Sequence, residues 1–202
     1  MRSNLETMTE DFDKRDGEDL LPDVMRSAAE VARRCCVLMG IVAAGHHEPR
    51  GPIIGWLKAE ELWEYVSPYE RRFLESEFPM EQQFVNATWR AEASQALLWA
   101  LGELPAMSGL TEICSLDSQR AAIPFLGPAS DFISKASLRT EEEIRGELDS
   151  VYDAHWRVRD AQLKRRPVPD GLNPGVIQER HYALNWLTGY DGQEWDGITT
   201  DT

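Results

Sequence analysis

Placed on a helix at 100° per residue, the stretch from Met80 to Leu104 leaves almost no face for water. Val85, Trp89, Ala93, Ala96, Ala100 and Leu104 fill one broad face, while Phe84, Ala91, Leu98 and Trp99 cover most of the other. A helix apolar nearly all round is a buried one, so this stretch is the expected centre of the fold.

Patterned segments flank it on both sides. Pro22 opens a helix with the stripe Val24, Ala28, Val31, Cys35, Leu38 and Val42, with Arg26, Glu30 and Arg33 opposite and an end near Gly45. His46 and His47 then fall in a turn with Pro49, Gly51 and Pro52, ahead of a short helix over residues 56–65. Ser67-Pro68-Tyr69-Glu70 is a helix start, because Ser67 can cap, Pro68 fits the first position and Glu70 can reach back. After the central helix, Gly109, Pro124, Gly127 and Pro128 allow only short turns, over residues 116–126 and 131–136. Thr140-Glu141-Glu142-Glu143 caps a long helix to about Lys164, and Asn173-Pro174 starts a last one that Gly189 closes. No alternating run reads as a strand. The expectation is an all-α fold: one helical domain over residues 21–202, behind a mobile acidic tail over 1–20.

Four ionisable side chains fall where this patterning calls for apolar ones. Arg180 lies at the centre of the arc Val176, Ala183, Leu184 and Leu187; His155 lies in the stripe Ile144, Leu148, Val151 and Val158. Arg90 sits between Leu97 and Leu101, and Glu92 among Val85, Ala96 and Trp99. A buried charge is tolerated only when paired and hydrogen-bonded. Arg180 is therefore expected to hold a carboxylate, first Glu92, then Glu147, Asp149 or Asp196. Such a network either locks helix packing or lines a polar cleft in which Arg180 holds an anion and His155 or His181 moves protons. Glu179 and His181 flank Arg180 in sequence, but adjacent helical residues point in different directions and make no triad by themselves.

Composition narrows the partners. Against 35 Asp+Glu stand 21 Lys+Arg, a formal net charge of −14, which disfavours nucleic acid and anionic membranes and would attract a basic protein surface. Cys35, Cys36 and Cys114 make a poor disulfide framework, so a reducing cytosol is the simplest home. The N-terminus has no apolar signal region, and no run suits a membrane span. HxxxH, HExxH, CxxC, glycine-rich phosphate loops and GxSxG are missing, so no metal or cofactor is expected. The seven tryptophans read as core and seam residues. Trp195 near the C-terminus invites docking on the body, with Asp196 able to reach an inward arginine.

Taken together, Trp89-Arg90-Ala91-Glu92, Leu98-Trp99-Ala100-Leu101-Gly102, Leu138-Arg139, Glu142-Glu143-Ile144, Leu148-Asp149 and His155-Trp156 form a recognisable set. With Glu179-Arg180-His181-x-Ala183-Leu184-Asn185-Trp186 and the closing Trp195-Asp196 and Thr200-Asp201-Thr202, the chain resembles the bacterial family called domain of unknown function 4272. The resemblance runs from about Met25 to the end, with ERHxALNW and WDxxxTDT its most specific parts and residues 105–136 adding little. It implies that the C-terminus closes the domain, and it carries no activity, substrate or catalytic residue.

The function expected from these readings is a cytosolic, non-enzymatic binding or interaction module, immunity-like or regulatory, offering an acidic face to a basic protein. The alternative is an enzyme or small-ligand binder acting on an anionic substrate. Its catalytic candidates are His155, Glu179, His181 and Asp196, and its binding candidates Arg90, Glu92, Arg180, Asn185 and Trp195. An interaction module should expose an apolar or acidic patch without a deep polar pocket. An enzyme should open a cleft on which a histidine and an arginine converge.

Overall fold

The computed structural model describes residues 23–202, so the tail expected over 1–20 lies outside the described residues. Within them the chain forms eight α-helices and no strand. These are α1 (Ala28–Gly45), α2 (Arg50–Ala59), α3 (Pro68–Glu75), α4 (Glu81–Ala100), α5 (Leu116–Ala122), α6 (Ser130–Ser134), α7 (Glu141–Leu163) and α8 (Pro174–Thr188). Helix α4 lies between α1 and α8, α7 packs on the far side of α8, and α2, α3 and α6 pack against α1. Among the described residues no helix is long and apolar enough to cross a membrane.

The helix starts follow local chemistry. Reciprocal capping boxes open α3 (Ser67 and Glu70) and α7 (Thr140 and Glu143), and Asn173 Oδ1 accepts from the Gly175 and Val176 amides at the head of α8. Gly189 ends α8 in the left-handed region at φ 79°, and a Cβ there would sit 2.2 Å from the Val24 carbonyl oxygen. Only glycine suits that place on both counts.

Three expectations need correction. Helix α1 begins at Ala28 rather than Pro22, because Ser27 and Glu30 form a third capping box. Residues 23–27 run outside any helix, Val24 is 71% exposed, and the Arg26 amide donates to the Leu187 carbonyl at 2.8 Å. Helix α2 begins at Arg50 rather than Trp56, since Gly51 and Pro52 fit its first turn, and residues 63–65 form a separate 3-10 turn. Arg50 itself reaches the carbonyls of Phe73, Leu74 and Ser76 at the end of α3.

The third correction concerns the centre of the fold. Helix α4 is central in the packing order, yet its first half is open to water, and Val85 is 40% exposed. The most continuously buried helix is α1, where every residue from Val31 to Gly45 except Arg33 is buried. Cys35 and Cys36 are part of that core, and burial pushes both thiols up, Cys36 to about 12. Fully burying a leucine such as Leu38 contributes about 1.5–3 kcal/mol, and α1, the second half of α4 and α8 together supply much of the core. The exposed first half of α4 is left free to line a cleft.

Candidate functional site

The inward charges separate into three places. Glu92 and Arg180 meet as expected: Glu92 Oε2 accepts from Arg180 Nη2 at 2.8 Å and from Nε at 3.1 Å, with both side chains almost wholly buried. The remaining bonds tie down the loop after α4. Arg180 Nη1 donates to the Ser108 carbonyl at 2.7 Å, Nη2 reaches Ser108 Oγ at 2.8 Å, and Glu92 Oε1 accepts from the Cys114 amide at 2.6 Å. This pair is satisfied on all sides and closed to solvent, and it fastens residues 108–114 across α4 and α8. Of the alternative partners proposed for Arg180, Asp196 lies elsewhere.

Arg90 and Glu179 form a second α4–α8 pair at 3.0 Å, and this one faces an open cleft of about 600 Å³. The cleft lies between α3, α4, α8 and the C-terminal segment. Trp89, Tyr182, Trp195 and Phe73 supply its apolar walls, and Tyr69, Arg72, Gln83, Asn86, Gln178 and Asp196 its polar rim. Arg90 Cζ lies 4.5 Å from the Tyr182 ring centroid and 5.6 Å from that of Trp195, so its guanidinium is held by aromatic faces as well as by Glu179. Although burial works against its charge, the Glu179 carboxylate holds the Arg90 pKa above the ordinary guanidinium value. Burial pushes the Glu179 carboxyl up despite Arg90, and pushes the Tyr182 phenol to about 12. Gly175 sets the floor: a Cβ there would come within 2.7 Å of the Trp89 ring.

The C-terminal segment closes one side, as the docking of Trp195 anticipated. Trp195 is buried edge-on to Tyr182 and Trp186, with Arg34 Cζ 4.6 Å from its ring centroid on α1. Tyr182 donates to the Trp195 carbonyl, and Asn185 Nδ2 donates to the Thr199 carbonyl at 2.9 Å. Asn185 is thus a tether for the segment rather than a cleft residue. Asp196 Oδ2 accepts from the Tyr69 amide at 2.8 Å, placing a carboxylate at the N-terminus of α3, where the helix dipole favours it.

The histidines occupy the third place, on the α7–α8 seam. His155 Nδ1 and His181 Nδ1 are 2.9 Å apart, both rings are buried, and Tyr152 stands edge-on to His181. One ring donates and the other accepts, so the bond needs at least one neutral imidazole. Burial lowers both pKa values; His155 adds to the effect on His181, which is brought to about 4. Neither ring lines the cleft. Among the described residues no group of three or more histidine, cysteine or acidic side chains is arranged to hold a metal ion.

A buried pair escaped the sequence reading. Arg34 Nη2 donates to Glu70 Oε2 at 2.8 Å, and the same oxygen accepts from the Ser67 amide at 2.9 Å, so Glu70 is cap and counter-ion at once. Arg34 Nε and Glu70 Oε1 have no partner among the described residues, and a fork–fork pairing of the two groups would satisfy both. The signal was present: Arg34 stands between Val31 and Leu38 of the α1 stripe, as Arg180 does in its own arc.

Among the described residues, fold and site thus define an all-helical protein with an open polar cleft backed by buried ion pairs. A family model described as Domain of unknown function (DUF4272) matches residues 17–198, and the chain belongs to that family. The match starts earlier than Met25, takes in the loop over 105–136, and stops short of Thr200-Asp201-Thr202. No curated protein and no solved structure matches the chain.

Proposed function

We propose that this protein is a non-catalytic binding module for a small anionic molecule, held in the α3–α4–α8 cleft by Arg72 and Arg90. One observation carries the reading: each carboxylate of the cleft already holds at least one donor, while several of the cleft's own donor groups hold no acceptor. Glu70 is bonded to Arg34 and Ser67, Glu179 to Arg90, and Asp196 to the Tyr69 amide. By contrast, Arg72 has no ion-pair partner among the described residues, Arg90 spends only one amino group on Glu179, and Gln83 and Asn86 use only their carbonyl oxygens. A group rich in acceptors, such as a phosphate or carboxylate, completes that inventory, and Trp89 and Tyr182 offer faces to an apolar part.

Binding rather than catalysis is supported by the separation of the histidine pair from the cleft and by the engagement of the two catalytic candidates that do line it, Glu179 with Arg90 and Asp196 with the Tyr69 amide. The test is thermal unfolding with inorganic phosphate, pyrophosphate, citrate and nucleotides, beside an uncharged sugar. Saturating anion should raise the midpoint by roughly 5–10 °C. Exposed Arg72→Gln should leave the free protein's midpoint alone and remove the rise. The reading fails if no anion stabilises the protein, or if the rise survives both Arg72→Gln and Arg90→Met.

A further inference from the structure

Helix α7 packs on α8 with one face, and another face carries a largely exposed seam, flanked near Trp156 by the link over residues 166–169. Glu142, Arg145, Asp149, Tyr152, Trp156, Arg159 and Leu163 follow each other at alternating steps of three and four residues, the spacing of a coiled-coil seam. Tyr152 is 42% exposed, Trp156 52% and Leu163 78%, so three large apolar side chains stand in water along one line.

The charges on α7 are segregated along its length. In the half before Ala154 stand Glu141, Glu142, Glu143, Glu147, Asp149 and Asp153 against Arg145 alone. In the half after it, Arg157 and Arg159 stand against Asp160 alone, and Lys164, Arg165 and Arg166 follow directly beyond the end of the helix. The helix dipole accounts for acids in the first turn and for the bases just past the C-terminus, and has little hold on Asp149, Asp153, Arg157 and Arg159 in the middle. Nor are those residues spent on each other. Arg157 turns to Asp170, and among the described residues Asp149, Asp153 and Arg159 have no ion pair. Asp149 and Asp153 are instead a like-charged i,i+4 pair that a partner would relieve.

We propose that α7 is a self-association surface, and that its occupant is a second copy of this chain laid antiparallel with the two-fold axis at Ala154. In that register Tyr152 of each copy meets Trp156 of the other, Asp149 meets Arg159, and Arg145 lays its stem on Leu163. The central layer is aromatic and the next is oppositely charged, and no other partner need be supplied. The acidic face expected to attract a basic protein thus finds its complement on the same helix of a second molecule. A seam about 32 Å long and ~10 Å wide sits below the usual size of permanent interfaces, so the dimer is concentration-dependent, with a Kd of roughly micromolar to sub-millimolar order.

Sedimentation velocity on the full chain tests this with two charge reversals at exposed positions. Arg159→Asp makes both members of the Asp149–Arg159 layer negative, and Asp149→Arg makes both positive, so each variant alone should be monomeric at concentrations where the natural chain dimerises. An equimolar mixture should dimerise again, because every reversed layer is complementary between the two variants. A natural chain that stays monomeric at roughly millimolar concentration overturns the proposal. So does a dimer that survives both reversals, or a mixture that stays monomeric while both variants keep the natural helical circular dichroism.

Discussion

Arg90–Glu179 and Glu92–Arg180 join the same two helices with the same kinds of group, two residues apart on α4 and adjacent on α8. Their surroundings separate them. The loop over residues 108–114 covers Glu92 and Arg180 and takes up their remaining bonding capacity through Ser108 and the Cys114 amide. Arg90 is covered in part by the Tyr182 and Trp195 rings and looks into the cleft with donors to spare. A sealed pair acts as a fastener because breaking it strands a charge away from water; an open pair can exchange partners with a ligand at little cost.

The widest contrast should come from breaking the sealed pair. Glu92→Leu leaves Arg180 buried without a counter-charge and should cost about 3–5 kcal/mol, a fall of about 10 °C or more in the unfolding midpoint. Adding Arg180→Met should restore most of that loss, and a double variant no better than the single one would mean the loop, not the charge, dominates. The seam histidines come next. His181 is held neutral near a pKa of about 4, whereas the unfolded side chain takes its proton near 6.5. The unfolded state therefore binds protons first as pH falls. Stability is full above about pH 6.5, declines toward pH 4 by at most about 3 kcal/mol, and levels off below. Urea melts across that range should lose this slope in His181→Leu, and an unchanged slope would place its origin in other groups.

Smaller effects belong to the cleft. Asp196→Ala removes the acceptor at the head of α3 and should cost about 1 kcal/mol in the same melts. Glu179→Gln, which leaves the largely buried Arg90 with its aromatic contacts and a neutral amide, should cost about 1 kcal/mol while tightening anion binding several-fold in calorimetry. Weaker anion binding in that variant would mean that Glu179 positions Arg90 rather than competes for it.

Helical phase was enough to find the sealed pair, because a charge in an apolar arc demands a partner and Glu92 was the inward acid on the neighbouring helix. Capping signals likewise placed α3, α7 and α8. Where two start signals competed, at Pro22 and at Ser27 with Glu30, the choice depended on Val24 lying against Gly189, a contact 165 residues apart in sequence. The cleft was legible only in part: Arg90, Glu179, Trp195 and Asp196 were singled out, but their meeting with Arg72 and Tyr182 depends on how α3 and the C-terminal segment dock. The role of Asp196 was hidden for the same reason, since its partner is a backbone amide and amides leave no mark in a sequence. Arg34 did leave a mark, and only its neighbour Arg33 was read.

The most direct measurement is the side-chain Nε–H spectrum of the arginines in ¹⁵N-labelled protein titrated with pyrophosphate. The Arg72 and Arg90 resonances should shift together and saturate, while Arg180 Nε–H, locked on Glu92, stays in place. An Arg180 resonance that moves with them, or Arg72 and Arg90 resonances that never move, would contradict the division between a fastening pair and a binding one.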